Sequence, residues 1–496
     1  MSDQVFNPYL PSWEYIPDAE PRVFGDRLYV YGSHDRFGGT EYCQNNYVGW
    51  SAPLANLSQW TCHGVVYSKT QDPANERGRR ELWAPDVVQG GDGRYYLFYC
   101  LSNHPRVSIA VSDCPAGPFE FFTHLRSAAG GLLGASSGDV FPFDPAVLVD
   151  DDGRVFLYIG FAPVARRLRR PAMLHGLLQD GAYVFELEPD MRTVKTGPRL
   201  IIPRAGHSAG SGFEGHEFYE AASIRKIDDR YYFVYSSING DELCYATSDS
   251  PDGGFSFEGT LVSNGDIGFE GRIRRDAVNY TANNHGGLAQ IDGRWYVFYH
   301  RHTNRCQVSR QGCAEPIELG PDGRFTQVEM SSGGLHSGPL PGNGTYRSHI
   351  ACVLRGRDGA KPTPFRRSRF SGLSREPFLT QTGGDREGAG DQYIANMRDG
   401  AVAGFKYFDI SEPTTLTLET RGSGRGMVEV SDSLAGPPIA TVPVGPDVSC
   451  AEARIDALNP RMALYFRYRG TDTIDFHSFT LAPVGRTAIA DSPSEM

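Results

Sequence analysis

Five ionisable side chains recur at one position of a pattern that this chain repeats. When the repeats are aligned on the arginine that ends each turn, a polar residue stands eight to ten positions before that arginine. These residues are Asp18, Asp86, Asp144, Glu220 and His285. One carboxylate at the start of a strand commonly caps a turn or is solvated, but five equivalent ionisable positions indicate a shared site.

Several carboxylates in one concave site are the equipment of glycoside hydrolysis. A protonated acid donates to the leaving oxygen, while an ionised carboxylate activates water or attacks directly. Neighbouring carboxylates raise each other's pKa values, and this keeps an acid protonated near neutral pH. The residues lie in different repeats, which favours the wider carboxylate separation of inverting enzymes.

The repeated element is a β-hairpin with a short apolar strand, a turn of Gly and Asp, and an aromatic strand. The copies read PDAEPRVFGDRLYVYGS, APDVVQGGDGRYYLFYC, DPAVLVDDDGRVFLYIG, EAASIRKIDDRYYFVYS and HGGLAQIDGRWYVFYHR. They recur every 60 to 76 residues, measured between the turn arginines Arg27, Arg94, Arg154, Arg230 and Arg294. This spacing predicts a five-bladed β-propeller over residues 1–330, whose inner strands bring the five ionisable residues to one mouth of the axis. A further turn, Pro321–Phe325, predicts an outer strand pair and not a sixth blade.

For several residues near the five positions, the sequence allows more than one interpretation. Trp83 is the tryptophan best placed to stack on a sugar, and packing between blades is an equal alternative. Asp86 could bind substrate hydroxyls or support the structure. Glu214 and Glu217 precede Glu220, but their distance to the turn arginine differs, so we expect loop residues.

Composition limits the function classes. The 496 residues suggest two or three domains, and the net charge of −11 without a basic stripe argues against nucleic acid as a partner. No apolar run is long enough to span a membrane, and the N-terminus shows no signal-peptide pattern. We therefore expect a cytoplasmic protein without a membrane partner, whose nine scattered cysteines are reduced. The oligomeric state is left open.

Composition changes near residue 330, where a second domain is predicted. Residues 331–345 are rich in Gly, Ser and Pro and predict a linker. Alternating segments then predict a β-sandwich over 346–484, followed by a tail at 485–496. The chain is thus predicted to be all-β, with a propeller followed by a sandwich.

The first 330 residues resemble glycoside hydrolase family 43, the five-bladed propeller enzymes that act on arabinofuranosides and xylosides. The resemblance is carried by IPDAEPRVFGDRLYVYGSHD, WAPDVV, FPFDPAVLVDDDG, FYEAASIRKIDDRYYFVYSS and NNHGGLAQIDGRWYVFYHRHT. It implies an inverting enzyme with Asp18 as general base, Glu220 as general acid and Asp144 as modulator of the acid's pKa. It also implies that Arg310 contacts substrate hydroxyls, with an ion pair to Glu315 as the alternative.

The resemblance further implies that His285 is an axial histidine which contacts substrate, a bound calcium ion or a water cluster. Calcium prefers oxygen ligands, so an ion beside His285 would take most of its ligands from water. No organic cofactor is expected.

Residues 346–484 resemble a family 6 carbohydrate-binding module, through Tyr393–Ile410, which reads YIANMRDGAVAGFKYFDI. This region has no tryptophan to form a sugar platform. Its tyrosines that could serve instead are Tyr393, Tyr407, Tyr465 and Tyr468. We expect a structural domain packed on the propeller, with sugar binding as the alternative.

These features predict an exo-acting α-L-arabinofuranosidase that acts on arabinoxylan- or arabinan-derived oligosaccharides. A β-D-xylosidase or a bifunctional enzyme is the near alternative. A non-catalytic sugar-binding propeller is a third, and an acid, a base and a modulator together argue against it. A fructan-active propeller is disfavoured because IPDAEP replaces the NDPNG-type nucleophile motif.

Overall fold

The computed structural model describes residues 6–165, 168–169, 176–366, 372–387, 391–448 and 451–485. Five antiparallel sheets precede residue 320, each with its strands in chain order. The first contains β1 (Glu20–Phe24), β2 (Arg27–Tyr31), β3 (Tyr47–Pro53) and β4 (Thr61–Tyr67). The second contains β5 (Leu82–Gln89), β6 (Tyr95–Leu101), β7 (Val107–Ser112) and β8 (Glu120–His124). The third contains β9 (Ala146–Val149), β10 (Val155–Ile159), β11 (Gly181–Leu187) and β12 (Val194–Pro203). The fourth contains β13 (Phe218–Ile227), β14 (Arg230–Ser237), β15 (Glu242–Ser248) and β16 (Ser256–Ser263). The fifth contains β17 (Leu288–Ile291), β18 (Arg294–His302) and β19 (Arg310–Ile317).

The first strands of the five sheets form a closed ring. Strand β5 contacts β1 and β9, β13 contacts β9, and β17 contacts β1. Arg225 Nε of β13 donates to the carbonyl of Leu288 in β17 at 2.8 Å. A bridge between Ala19 and Gly286 joins the first and fifth blades. The predicted five-bladed propeller is therefore confirmed.

Both faces of each blade are buried, which explains the aromatic strands of the repeat. In β14, Tyr231, Phe233 and Tyr235 pack into the core shared with the third blade. Tyr232 and Val234 point the other way, into the core shared with the fifth blade. The period of two along a strand thus distributes large side chains to two interfaces.

The fifth blade has three strands among the described residues. The turn at Pro321–Phe325 closes through a single bridge between Leu319 and Phe325. Val328 then bridges Val262 of β16 in the fourth blade. The predicted outer strand pair is reduced to isolated bridges, since Pro321 has no N–H to extend a ladder.

Two packed sheets follow the propeller. Their strands are β20 (Leu340–Pro341), β21 (Gly344–Arg347), β22 (Val353–Arg355), β23 (Phe378–Gln381), β24 (Gln392–Met397), β25 (Val402–Ile410), β26 (Thr414–Gly422), β27 (Arg425–Ser431), β28 (Ala440–Val444), β29 (Glu452–Ile455), β30 (Asn459–Thr471) and β31 (Ile474–Pro483). One sheet has the order β20-β25-β30-β27-β28 with β22 on β25, and the other β23-β24-β31-β26-β29 with β21 on β31. The short 3-10 turns of the chain are Pro73–Asn75, Asn264–Asp266, Phe269–Gly271, Arg274–Asp276, Ser348–Ile350 and Gly372–Arg375.

This second unit is the predicted β-sandwich. Phenylalanines from both sheets meet in its core, where Phe405 and Phe479 have ring centres 4.9 Å apart. Strand β20 and the start of β21 lie within the segment predicted as a linker. Of the candidate tyrosines, Tyr468 is fully buried and Tyr393 stacks on His477. Residues 486–496 of the predicted tail lie outside the described residues.

The sandwich packs directly on the propeller. Lys406 of β25 is buried and lies 3.0 Å from Asp266 and 2.8 Å from Glu329, both in the propeller part of the chain. Asn279 Nδ2 also donates to the carbonyl of Cys352 at 2.8 Å. Over the described ranges, no helix has the length and apolar character that crossing a membrane requires.

Candidate active site

Four of the five predicted residues meet at one end of the propeller axis. Asp18 and Asp144 each lie two residues before their strands, β1 and β9, while Glu220 lies within β13. His285 Nδ1 lies 4.0 Å from Asp18 Oδ1 and 3.7 Å from Asp144 Oδ2. The backbone N–H of Ala221 donates to Asp144 Oδ2 at 3.0 Å. The first, third, fourth and fifth blades thus each contribute a polar group.

The backbone around these groups is strained. Asp18, Asp144 and Ala221 have φ values of 56°, 47° and 69°, in the left-handed region that residues other than glycine rarely adopt. The pairing of β13 with β14 is also irregular on both sides of Glu220. Such irregularities redirect side chains and concentrate at functional sites.

Arg310 and His300 surround the carboxylate of Asp18. Arg310 Nη1 lies 2.8 Å and His300 Nδ1 3.3 Å from Asp18 Oδ1. Asp35 holds the same guanidinium, with distances of 2.9 Å to Nε and 3.0 Å to Nη2. Burial alone would raise the pKa of Asp18, but Arg310 and then His300 outweigh it and hold that pKa well below its ordinary value. The predicted alternative pair of Arg310 with Glu315 does not form, because Glu315 is bound by other groups.

The carboxyls of Glu220 and Asp144 shift in the opposite direction. Burial and then the negative charge of Asp18 raise the pKa of Glu220 to about 8, against the opposing effect of Arg310. Burial, followed by the charges of Glu220 and Asp18, also raises the pKa of Asp144 well above its ordinary value. The site therefore combines an ionised aspartate with a protonated glutamate at neutral pH. The carboxyls of Glu220 and Asp144 lie close enough for their charges to interact, and the predicted role of Asp144 as modulator of the acid's pKa stays a prediction.

Asp86 belongs to an ion-pair layer beneath this site. It accepts from Arg22 Nε at 2.9 Å and Nη2 at 2.6 Å, and from the N–H of Val147 at 2.7 Å. Glu20, two residues past Asp18, pairs with Arg225 at 2.5 Å in the same layer. Because both oxygens of Asp86 are engaged within the protein, the arrangement favours structural support over binding of substrate hydroxyls.

A row of half-buried aromatic rings extends beside the carboxyls of blades three and four. Trp83 packs edge-on against Phe143, with ring centres 5.4 Å apart. Phe143 lies 4.5 Å from Phe161, which lies 5.8 Å from Tyr219. Trp83 thus packs between blades and also opens a row that could present ring faces to a sugar. Phe143 and Tyr219 directly precede two predicted carboxylates, which is the sequence signal that could have found them.

Tyr42 lies beside the guanidinium of Arg310. The guanidinium carbon of Arg310 lies 4.6 Å from the centre of its ring. Its hydroxyl donates to Oε1 of Gln307. Tyr42 and Asp35 both lie in the loop between β2 and β3, outside the repeated hairpins, so sequence analysis missed them. His300 was visible as a polar residue in an aromatic strand.

Glu214 and Glu217 lie in the loop before β13, as predicted. Glu217 accepts from Ser208 Oγ at 2.7 Å and from the N–H of Gly215 at 3.0 Å. Glu214 is exposed and accepts from the N–H of Gly210 at 2.5 Å. Neither takes the place of Glu220.

His285 lies beside the carboxylates of Asp18 and Asp144. Burial lowers the pKa of His285 to about 4, despite the opposing charge of Asp18, so its imidazole is neutral at neutral pH. The two aspartates beside His285 offer at most four carboxylate oxygens, fewer than the roughly six to eight that calcium takes. Within the described part of the chain, the cluster with metal-ligand spacing lies in blade four and excludes His285. It consists of His216, Glu242 and Cys244.

Comparisons with known proteins agree with this site. Residues 17–325 match the profile of glycosyl hydrolases family 43. The chain is 48% identical to a xylosidase/arabinosidase of Thermoclostridium stercorarium, over 97% of this chain and 99% of that one. It is 30% identical to a xylosidase/arabinosidase of Bacteroides ovatus, over 59% of this chain and 87% of the other.

Solved structures show the same architecture. One is a family 43 β-xylosidase/α-arabinofuranosidase from a compost microbial metagenome, in complex with xylotriose in a calcium-free form. It has a TM-score of 0.51 and 25% identity, over 66% of this chain and 97% of that one. An arabinoxylan arabinofuranohydrolase from Bacillus subtilis shares the fold over 97% of this chain and 98% of that one, with a TM-score of 0.50 and 20% identity. The propeller, its carboxylate site and these matches agree that the chain is a glycoside hydrolase and belongs to glycosyl hydrolases family 43.

Proposed function

We propose that this chain is an inverting, exo-acting hydrolase that removes terminal α-L-arabinofuranosyl and β-D-xylosyl groups from oligosaccharides derived from arabinoxylan or arabinan. The observation that carries the proposal is the ionised Asp18 close to a Glu220 whose pKa is raised to about 8. Action on both sugars is supported by the xylosidase/arabinosidase that shares 48% identity over 97% of the chain. The sequence alone favoured arabinofuranosides.

In the proposed reaction, Glu220 and Asp18 each take part in one proton transfer. Glu220 donates its proton to the leaving oxygen while the bond from that oxygen to the anomeric carbon breaks. A water molecule attacks the anomeric carbon from the opposite face and gives a proton to Asp18. Arg310 keeps Asp18 ionised and oriented until this transfer. Asp144 accepts from the N–H of Ala221 and so fixes the backbone beside Glu220.

Inversion is supported by the placement of Asp18 and Glu220 on different blades with their side chains at the axis. The anomer formed first tests it. Hydrolysis of a β-D-xyloside followed by proton NMR should show α-xylose before mutarotation. Initial formation of β-xylose would instead require a covalent intermediate and would contradict inversion.

The substrate class is tested with p-nitrophenyl α-L-arabinofuranoside and p-nitrophenyl β-D-xylopyranoside side by side, followed by xylobiose and arabinoxylo-oligosaccharides. We expect turnover of both aryl glycosides by the intact chain and none by Asp18→Asn. Turnover of only one of the two aryl glycosides would restrict the proposed specificity to that sugar. No turnover of any of these compounds would favour the non-catalytic sugar-binding alternative.

Two predictions stand outside this mechanism. Calcium near His285 remains a proposal in which water supplies most ligands, and no step above uses an ion. Unchanged thermal stability after dialysis against a chelator, and no change on adding calcium, would argue against it. The cytoplasmic location likewise remains a proposal; cell fractionation would test it.

A further inference from the structure

We propose that the β-sandwich domain builds the outer part of the substrate site, with Phe365 as an aromatic platform for the sugars on the leaving-group side of the cleaved bond. This inference rests on the proposed function, because it assigns a place to the rest of the oligosaccharide. It assigns the sandwich a direct part in substrate recognition beyond structural support.

A short chain of contacts joins Phe365 to the general base. Its ring lies edge-on to the ring of Tyr42, with centres 5.0 Å apart and planes at 62°. The ring of Tyr42 lies 4.6 Å from the guanidinium carbon of Arg310. Arg310 in turn is hydrogen-bonded to Asp18 at 2.8 Å. Phe365 therefore stands at the side of the site that Tyr42 forms.

The segment that carries Phe365 is fixed to the propeller. Gln307, in the loop between β18 and β19, donates from Nε2 to the carbonyl of Thr363 at 2.6 Å. Its backbone N–H donates to the carbonyl of Pro364 at 3.1 Å. The same Gln307 accepts from the hydroxyl of Tyr42. One glutamine thus binds both the hydroxyl of Tyr42 and the backbone just before Phe365.

A second segment of the sandwich holds the loop between β2 and β3. Asp385 accepts from the N–H of Phe37 at 2.7 Å and from Asn45 Nδ2 at 2.9 Å. Arg386 pairs with the buried Glu14 at 2.8 Å. Phe37 and Asn45 flank Tyr42 in this loop, so the sandwich anchors the loop on both sides of that residue.

The role of Phe365 is inferred from the increase in solvent exposure from Asp18 to Phe365. Asp18 is 6% exposed, whereas Phe365 is 40% exposed and ranks among the large apolar side chains open to solvent. An exo-acting enzyme places the terminal sugar against the buried carboxyls, so the following sugars extend toward the exposed end. An aromatic ring there can cover the C–H face of a sugar while the sugar hydroxyls stay in water.

The test distinguishes an effect on binding of the leaving-group sugars from an effect on bond cleavage. We would compare intact protein with Phe365→Ala on xylotriose and on β-D-xylosyl fluoride, whose leaving group is a single atom. We expect kcat/KM on xylotriose to fall about three- to tenfold, mainly through KM, while the fluoride changes less than about twofold. Phe365→Tyr should restore the xylotriose value. Met427→Ala, an exposed change on sandwich strand β27, serves as the matched control and should change neither.

Equal losses on both substrates would overturn the proposal, because Phe365 would then only support Tyr42. Unchanged xylotriose kinetics would overturn it as well. If the wild-type protein hydrolyses neither substrate, the proposed function is wrong, but the role of Phe365 can still be tested by measuring binding. Calorimetry of xylotriose with Glu220→Gln, with and without Phe365→Ala, should then show about three- to tenfold weaker binding in the double variant. Equal binding, or none to Glu220→Gln, would overturn the inference.

Discussion

The guanidinium of Arg310 lies 2.8 Å from Asp18 Oδ1, and both side chains are almost completely buried. A buried carboxylate without a counter-charge would take up a proton, so this contact decides whether Asp18 can act as a base. Asp35 completes the arrangement because it accepts from two nitrogens of the same guanidinium. Arg310, Asp18 and Asp35 thus form one buried unit. From the sequence, only Asp18 was a candidate for the base.

Removing the charge of Arg310 should raise the pKa of Asp18. The base works only when ionised, so a higher pKa moves the acidic limb of the kcat/KM profile to higher pH. We expect Arg310→Met to show this shift together with a large loss of activity, and Arg310→Lys to shift less. Profiles measured from pH 4 to 9 would check it, and an acidic limb that stays in place would contradict the role of Arg310.

The Asp35 carboxylate should contribute strongly to stability. Breaking a buried ion pair by removing one partner costs about 3–5 kcal/mol, so Asp35→Ala should lower the free energy of unfolding by about this amount. Asp252→Ala is the matched control, because Asp252 pairs with Arg199 on the surface, where such pairs contribute about 0–1 kcal/mol. Denaturant unfolding compares the two. Similar losses in both variants would show that Arg310 does not depend on Asp35.

The basic limb of the pH profile should report Glu220. Its pKa is raised to about 8, so the protonated acid prevails below that pH and is lost as the pH rises through it. We expect kcat/KM on xylobiose to fall above about pH 8. Glu217→Gln should leave this limb in place, since Glu217 lies in the loop before β13 and is bound by Ser208. A profile that stays flat to pH 10 would assign the acid to another group.

Lys406 should hold the two domains together. Its ammonium lies between Asp266 and Glu329 of the propeller and its side chain is 3% exposed, so Lys406→Met leaves the buried Asp266 and the partly buried Glu329 without their partner. We expect a loss of about 3–5 kcal/mol in the free energy of unfolding, measured by denaturant. Adding Asp266→Asn should recover part of it. A double variant no more stable than the single one would show that the loss does not come from the uncompensated charge.

The sequence predicted what is local and missed what depends on contacts between blades. Gly and Asp turns followed by alternating aromatic strands identify hairpins without knowledge of their neighbours, and the repeat then gives the ring. Asp86 occupies the same position in the repeat as Asp144, yet Arg22 from another blade neutralises it. Tyr42 lies in a loop that no repeat places. The sandwich strands β20 and β21 pair with distant strands, which a Gly- and Pro-rich segment does not reveal.

The most direct test of the site is the dependence of Glu220→Ala on the leaving group. A p-nitrophenolate leaves without a proton, whereas the alcohol released from xylobiose needs one. We expect the variant to lose most of its kcat/KM on xylobiose, about a hundredfold or more, and to retain much of it on p-nitrophenyl β-D-xylopyranoside. Equal losses on both substrates would contradict Glu220 as the general acid and with it the assignment of roles in this site.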